Sequence, residues 1–325
     1  MKKLGVTIIA LIGLLMFMGP AWAFEPSNVE CIAPSSPGGG WDFTCRQVGK
    51  ILYDLKLVPD PVKVTNMTGG GGGVAYGYVL SKRDDDQDLI VAASTATTTR
   101  LAQNQYPGMK ADQVKWVATL GADFGVIAVQ KDSPFKNLKD LIEAIKKDPK
   151  KVVFGGGSSV GGWDHLKILL LAKAAGIKDV KAIKYVYFDS GGGAMTQLLG
   201  GHITAMSGDI SEMKGQLKAG NIRVLAVLAP ERLQSRPEIP TAKEQGYDAV
   251  GANWRGLYIP GGVPEATLEG WGNILKKLYD SDEWKAAMNA NDLEPFWHGP
   301  QELKTFVQKD IVELQDLSRE VGLLK

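Results

Sequence analysis

Glycines and hydroxyls, more than acids or histidines, are the chemically suggestive residues of this 325-residue sequence. They gather in five stretches: PSSPGGG at 34–40, TGGGGG at 68–73, STATTT at 94–99, GGGSSVGG at 155–162 and DSGGG at 189–193. Glycine inside a regular element costs roughly 0.5–1 kcal/mol relative to alanine. The return expected from such runs is room, because a ligand or another stretch of backbone can approach where no Cβ stands. Each stretch opens into a helical pattern, and a helix N-terminus presents unpaired N–H groups and the positive end of its dipole. Glycines placed there let an anion reach those groups. A charge-assisted hydrogen bond contributes roughly 1.5–3 kcal/mol. A handful therefore reaches the ~8 kcal/mol of a micromolar complex after association costs. One such run by itself reads as a tight turn; five at successive strand ends read as an anion site.

Other chemistries fit less well. Gly156 and Gly161 have the spacing of a phosphate-binding loop, but Gly162-Trp163 follows where Lys-Ser or Lys-Thr is needed. The run 69–73 contains the dinucleotide pattern only because it is all glycine, and the next strand ends in Ser94 instead of an acid that would hold a ribose. Only His165, His202 and His298 are present, with no G-x-S-x-G elbow and no H-E-x-x-H. A Ser159–His165 pair is the one conceivable nucleophilic arrangement, against the plainer reading of Asp164-His165 as a polar helix start. Asp42 and Asp209 stand at helix starts, where they serve as caps that also orient ligand or water. Cys31 and Cys45 permit one disulfide in an oxidising compartment. One lies on a strand and the other a turn into a helix, which leaves the pairing open. No Cys-x-x-Cys or histidine cluster points to a metal, and no cofactor is expected.

Short β-like runs alternate with helices. The runs 29–33, 62–66, 89–93, 125–130, 152–154, 182–188, 203–206, 222–228 and 254–259 read as strands, and 264–324 as helices. Trp41, Cys45, Val48, Leu52 and Leu55 recur at helical spacing, as do Leu138, Leu141, Ile142 and Ile145 before Asp148-Pro149 ends that helix. Such alternation predicts the α/β class with parallel sheets covered on both faces. Ligands of such sheets sit beyond the carboxyl ends of the strands. The loops fall into two groups, 34–99 and 155–209, so two sheets should face each other across a cleft. The tryptophans at 254, 271, 284 and 297 are expected in the core.

Lys2 and Lys3 precede an apolar run at 4–18, and Ala21-Trp22-Ala23 follows: a secretory signal peptide with cleavage expected after Ala23. The run holds 15 residues, short of the roughly 20 that span a bilayer. A periplasmic location is therefore expected. Removing 1–23 takes away two lysines and no acid, leaving 35 basic and 36 acidic residues, without the basic excess of a nucleic-acid binder.

In order, CIAPSSPGGGWDFTCR, VTNMTGGGGGVAYGYV, DSPFKNLKDLIEAI, FGGGSSVGGWDHLK, YVYFDSGGGAMTQLLGGHITAMSGDISEM, RVLAVLAPERL, PEIPTAKEQGYD and WRGLYIPGGVP resemble the tripartite tricarboxylate transporter substrate-binding proteins, the Bug family. The TctC branch is the most similar, and the likeness covers 28–325. It implies a type II periplasmic binding-protein fold, a Venus flytrap of two α/β domains with the ligand cleft between them. The domains would be 24–126 plus 252–325, and 127–251. It also implies a ligand carboxylate held by Ser36, Gly38, Gly39 and Gly40 with Thr68, Gly69, Gly70, Gly71 and Gly72. Ser94 and Thr95 would meet the other end from the same domain, and Gly157, Ser158, Ser159, Ser190, Gly191 and Asp209 from across the cleft. Asp189 departs from the tyrosine-x-glycine turn of many members; its carboxylate either repels a third ligand carboxylate or caps a helix outside the cleft.

The resulting expectation is a monomeric, non-enzymatic receptor that captures a citrate-like di- or tricarboxylate and hands it to a membrane permease. The alternatives are a periplasmic hydrolase using Ser159 and His165, and a carboxylate sensor feeding a membrane kinase.

Overall fold

The computed structural model describes residues 24–324, so residues 1–23, where a signal peptide is expected, lie outside the described residues. The chain opens with β1 (Glu30–Ala33), α1 (Gly40–Asp54), β2 (Lys63–Asn66), α2 (Gly73–Lys82), β3 (Leu89–Ser94) and α3 (Thr95–Ala102). The long β4 (Val114–Gln130) leads into α4 (Leu138–Lys147), β5 (Val153–Gly156), α5 (Trp163–Ala174), β6 (Lys184–Tyr187) and α6 (Gly191–Leu199). Then come β7 (Ala205–Asp209), α7 (Ile210–Lys218), β8 (Ile222–Val227), β9 (Ala252–Pro260), α8 (Glu265–Asp280), α9 (Asp282–Ala290) and α10 (Pro300–Glu320).

Local sequence explains the elements. In α4, Leu138, Leu141, Ile142 and Ile145 are all buried, an i, i+3, i+4, i+7 stripe. Asn137 caps it by accepting from the Asp140 amide at 2.9 Å. In α1 the stripe Cys45, Val48 and Leu52 faces the core, and the Cys45 sulfur is bonded to Cys31 of β1, with Cα atoms 5.6 Å apart. Trp271 and Trp284 are buried in one cluster with Trp297 packed at its edge, and Trp254 is buried in another.

Two lobes share the strands. In the first, β2, β1 and β3 run parallel, followed by β9 and the first half of β4. In the second, β5 runs parallel to β6 and β7, and the second half of β4 pairs antiparallel with β7 and β8. The sheets are thus mixed and not wholly parallel as expected. The reason is directional. Strands that end in cleft loops run toward the cleft, so β9 and the far half of β4, which enter a lobe from the cleft, must run the opposite way. At the crossing three backbones tie together: Gly125 N–H donates to Gly251 O, Leu228 N–H to Gly125 O and Gly251 N–H to Leu228 O, at 2.7–2.8 Å. Each sheet carries apolar clusters on its two faces. A further cluster, with Ala102, Trp163, Leu166, Leu314 and Val321, joins the end of α10 to α5 of the second lobe. Among the described residues no helix is long and apolar enough to cross a membrane.

Candidate functional site

The five glycine- and serine-rich loops converge on one cavity of about 570 Å³ between the lobes. Its wall includes residues from the first turns of α1, α5 and α6, from α3, and from both ends of the α7 capping box. These helices differ in how they begin. Ser94 caps α3 by accepting from the Ala96 amide, and Ser190 caps α6 by accepting from the Gly193 amide. In contrast, α1 and α5 start at Gly39 and Gly162, which have no side chain to offer. The first helical bonds there are Phe43 N–H to Gly39 O and Leu166 N–H to Gly162 O. The amides of Gly40 and Trp41 are therefore left without a helical acceptor beside the cavity, and so is that of Trp163 on the opposite lobe.

The hydroxyls are already half engaged. Ser94 Oγ also accepts from Trp41 Nε1, Ser158 Oγ accepts from the Asp164 amide and Ser159 Oγ from Arg100. None of these three, nor Ser190, donates to a protein acceptor among the described residues, so each has a proton to offer the cavity. Behind this surface, Ser35 Oγ, Trp163 Nε1, Arg255 Nε and the acceptor Asn253 Oδ1 are fully buried without a hydrogen-bond partner.

Of the residues named from sequence, Ser36, Gly39, Gly40, Thr68, Gly69, Gly70, Gly71, Gly72, Ser94, Gly157, Ser158, Ser159, Ser190, Gly191 and Asp209 line the cavity. Gly38, Asp42 and Thr95 do not. Gly38 donates to Asp42 Oδ2, and Asp42 is further tied to Arg46 and Asn66, fixing the loop from behind. Thr95 Oγ1 donates to Ala252 O and accepts from the Trp254 amide, holding β9. Asp189 lies exposed on the cavity wall; the cap of α6 is Ser190.

Of the charged floor, the sequence reading named only Asp209 as a site residue. Arg255 Nη2 donates to Asp123 at 2.7 Å and to Asp209 at 3.0 Å. Lys167, fully buried, reaches Asp209 at 2.7 Å and Asp164 at 2.9 Å. Burial penalises the Asp209 carboxylate, but Lys167 and Arg255 beside it hold its pKa below the usual value. Glu212 is partly open to the cavity; burial of its carboxyl, with the Asp209 and Asp164 charges nearby, pushes it up to about 8. It therefore keeps its proton at neutral pH, and its Oε2 accepts from the Asp209 amide. Several glycines make room for these groups: a Cβ on Gly191 would stand 2.5 Å from Glu212 Oε1, and one on Gly162 2.5 Å from Arg100 Nη2. A charge inside an otherwise apolar strand, as in WRGLYIP, was the available signal for Arg255.

Comparison with known proteins bears on this arrangement. The family model of the tripartite tricarboxylate transporter family receptor, TctC, matches residues 46–323. The chain belongs to this receptor family. The protein BugT of Bordetella pertussis is 24% identical over 306 residues, covering 90% of this chain and 89% of BugT. A UPF0065 protein of Cupriavidus necator is 25% identical, covering 97% and 94%. The two-lobed fold is shared with BugD (TM-score 0.80, 22% identity, 91% and 98% covered). It is also shared with MatC of Rhodopseudomonas palustris, solved with malate (0.79, 22%, 90% and 99%), and an R. palustris protein solved with adipate (0.83, 21%, 93% and 98%). The TctC-type chain thus has the two-domain Venus flytrap fold of periplasmic binding proteins.

Ser159 and His165 do not form a nucleophile–base pair in this receptor. Ser159 Oγ is bonded to Arg100, and His165 Nδ1 accepts the Gly161 amide at 3.0 Å while its ring stacks on Tyr185. Burial lowers the His165 pKa to about 4.

Proposed function

We propose that this chain is a periplasmic receptor that captures a small di- or tricarboxylate, citrate-like in class, and delivers it as a monomer to the membrane permease of a tripartite tricarboxylate transporter. The observation that carries the reading is the pair of helix N-termini whose cap residues, Gly39 and Gly162, have no side chain, and which open on one cavity from opposite lobes. Two acceptor-poor helix mouths facing each other suit a ligand with an anionic group at each end. The cavity volume falls within the roughly 300–1,000 Å³ of small-molecule sites. Support also comes from the malate and adipate in the two R. palustris neighbours.

In this reading the lobes are 24–126 plus 252–325, and 127–251, and they close about the crossing at Gly125, Leu228 and Gly251. The glycine loops and the hydroxyls of Ser94, Ser158, Ser159 and Ser190 donate to the two ends of the ligand, and the signal peptide at 1–23 directs export. Calorimetric titration of the mature protein with malate, adipate, citrate and succinate tests it. Saturable binding of at least one is the expected result, and heats no larger than dilution across all four would overturn the ligand class.

A further inference from the structure

Arg100 differs from the other buried cations of the cleft in what it lacks. Lys167 and Arg255 each contact two carboxylates. Arg100 is 5% exposed and lines the cavity, yet among the described residues no carboxylate lies within 4.0 Å of its guanidinium. Its hydrogen bonds run only from Nη2, to Ser159 O at 3.3 Å and to Ser159 Oγ. Asp164 acts on it only from a distance, its own carboxylate being bonded to Lys167. Nε and Nη1 have no protein partner among the described residues, and they are absent from the fully buried orphan atoms, so they open toward the cavity. Burial pulls the pKa of Arg100 down, the mark of a charge without a counter-ion.

The surroundings are built to admit this side chain. Gly71, at φ +62°, would place a Cβ 3.0 Å from Arg100 Nε, and Gly162 would place one 2.5 Å from Nη2. Two glycines on opposite lobes therefore leave space for a single guanidinium. Arg100 itself stands on α3 of the first lobe, while Ser159 belongs to the loop after β5 in the second. A buried charge left unpaired is strongly unfavourable, and here Asp164 and Asp209 are committed to Lys167 and Arg255 and Glu212 holds its own proton. Asp189, the remaining acid of the cavity wall, is exposed and makes no ion pair with Arg100 among the described residues.

We propose that Arg100 is the charged anchor of the cleft, forming an ion pair with one carboxylate of the ligand while its Nη2 holds Ser159 of the opposite lobe over that carboxylate. The inference rests on the carboxylate-receptor reading and deepens it: one end of the ligand is recognised by a fixed cation, beyond backbone amides and hydroxyls alone. A ligand with a full negative charge at that end is thereby selected over an amide or ester, because a neutral group leaves the guanidinium without a counter-ion.

The test is calorimetry with whichever of malate, adipate, citrate or succinate the wild-type protein binds most tightly, repeated on Arg100→Gln and Arg100→Lys. Loss of one charge-assisted contact should weaken Arg100→Gln by about 10- to 100-fold. Arg100→Lys, which keeps the charge and loses the planar fork, should recover most of that loss, and the unliganded melting temperature of Arg100→Gln should not fall. Unchanged affinity in Arg100→Gln would overturn the anchor and leave the receptor reading standing. So would an equal loss in Arg100→Lys, which would assign the affinity to the guanidinium's hydrogen-bond geometry and not to its charge. A wild-type protein that binds none of the four would overturn the receptor reading itself, and the anchor with it.

Discussion

The guanidinium of Arg255 occupies the space in which Gly40 would carry a side chain: a Cβ there would stand 2.3 Å from Nη1 and 2.7 Å from Cζ and Nη2. Arg255 reaches that position from β9 while its Nη2 holds Asp123 and Asp209. The third glycine of PSSPGGG is therefore required by the protein's own ion network. Its neighbour Gly39 meets only Ser35 and the Ser36 carbonyl, at 3.1–3.4 Å.

Gly40→Ala should displace Arg255 and leave two buried carboxylates undercompensated, costing about 3–5 kcal/mol, the cost of breaking a buried pair. Gly39→Ala, whose backbone is extended and whose neighbour is a small rotatable hydroxyl, should cost about 1 kcal/mol or less. Urea unfolding of both variants without ligand decides it. Equal losses would show that the loop and not the Arg255 contact sets the requirement.

Glu212 gives a pH dependence with a definite sign. Its folded pKa, about 8, lies above the ordinary 4.5, so between those values the folded chain holds a proton that the unfolded chain has released. That stability is complete below pH 4.5 and declines as pH rises to about 8, by at most about 1.4 kcal/mol per pH unit. Asp123, pushed up to about 6 by burial against the pull of Arg255, contributes in the lower part of the window, so the comparison belongs between pH 6.5 and 8. Glu212→Gln should flatten the slope there; parallel curves for wild type and variant would assign the slope elsewhere.

The Cys31–Cys45 bridge closes a short loop around the first glycine run. Constraining a loop of about 15 residues in the unfolded chain contributes about 3 kcal/mol in the chain-entropy account. The double variant Cys31→Ser/Cys45→Ser should unfold at correspondingly lower urea, with β1 and α1 otherwise in place. An unshifted midpoint would mean that packing of Val48, Leu52 and Ile90 alone fixes the helix on the sheet.

The sequence revealed much of this architecture through local chemistry. The apolar stripe and the Asp-Pro stop fix α4, and the strand–glycine–helix recurrence places the five loops at one cleft. What escaped it depends on distant partners. β9 and the far half of β4 carry no local mark of their direction, because strand order arises from the crossing and not from apolar pattern. Arg100 sits in TATTTRLA as an ordinary helix residue, and only the convergence of Gly71 and Gly162 upon it shows where it points. The glycines were correctly read as making room, but part of that room is filled by Arg255, Arg100 and Glu212. Asp42 and Thr95 have the right residue types in the right loops, yet their side chains are spent on Arg46, Asn66 and the β9 backbone.

Trp41 and Trp163 stand on opposite lobes and border the cavity, one hydrogen-bonded through Nε1 to Ser94 and the other packed into the apolar cluster between α5 and α10 with its Nε1 buried and unpartnered. The remaining described tryptophans, at 116, 254, 271, 284 and 297, are packed away from it. The cleft thus carries its own optical gauge. Its occupancy can be followed by emission from two indoles, without a dye, a tag or a labelled ligand, while the others supply a constant background.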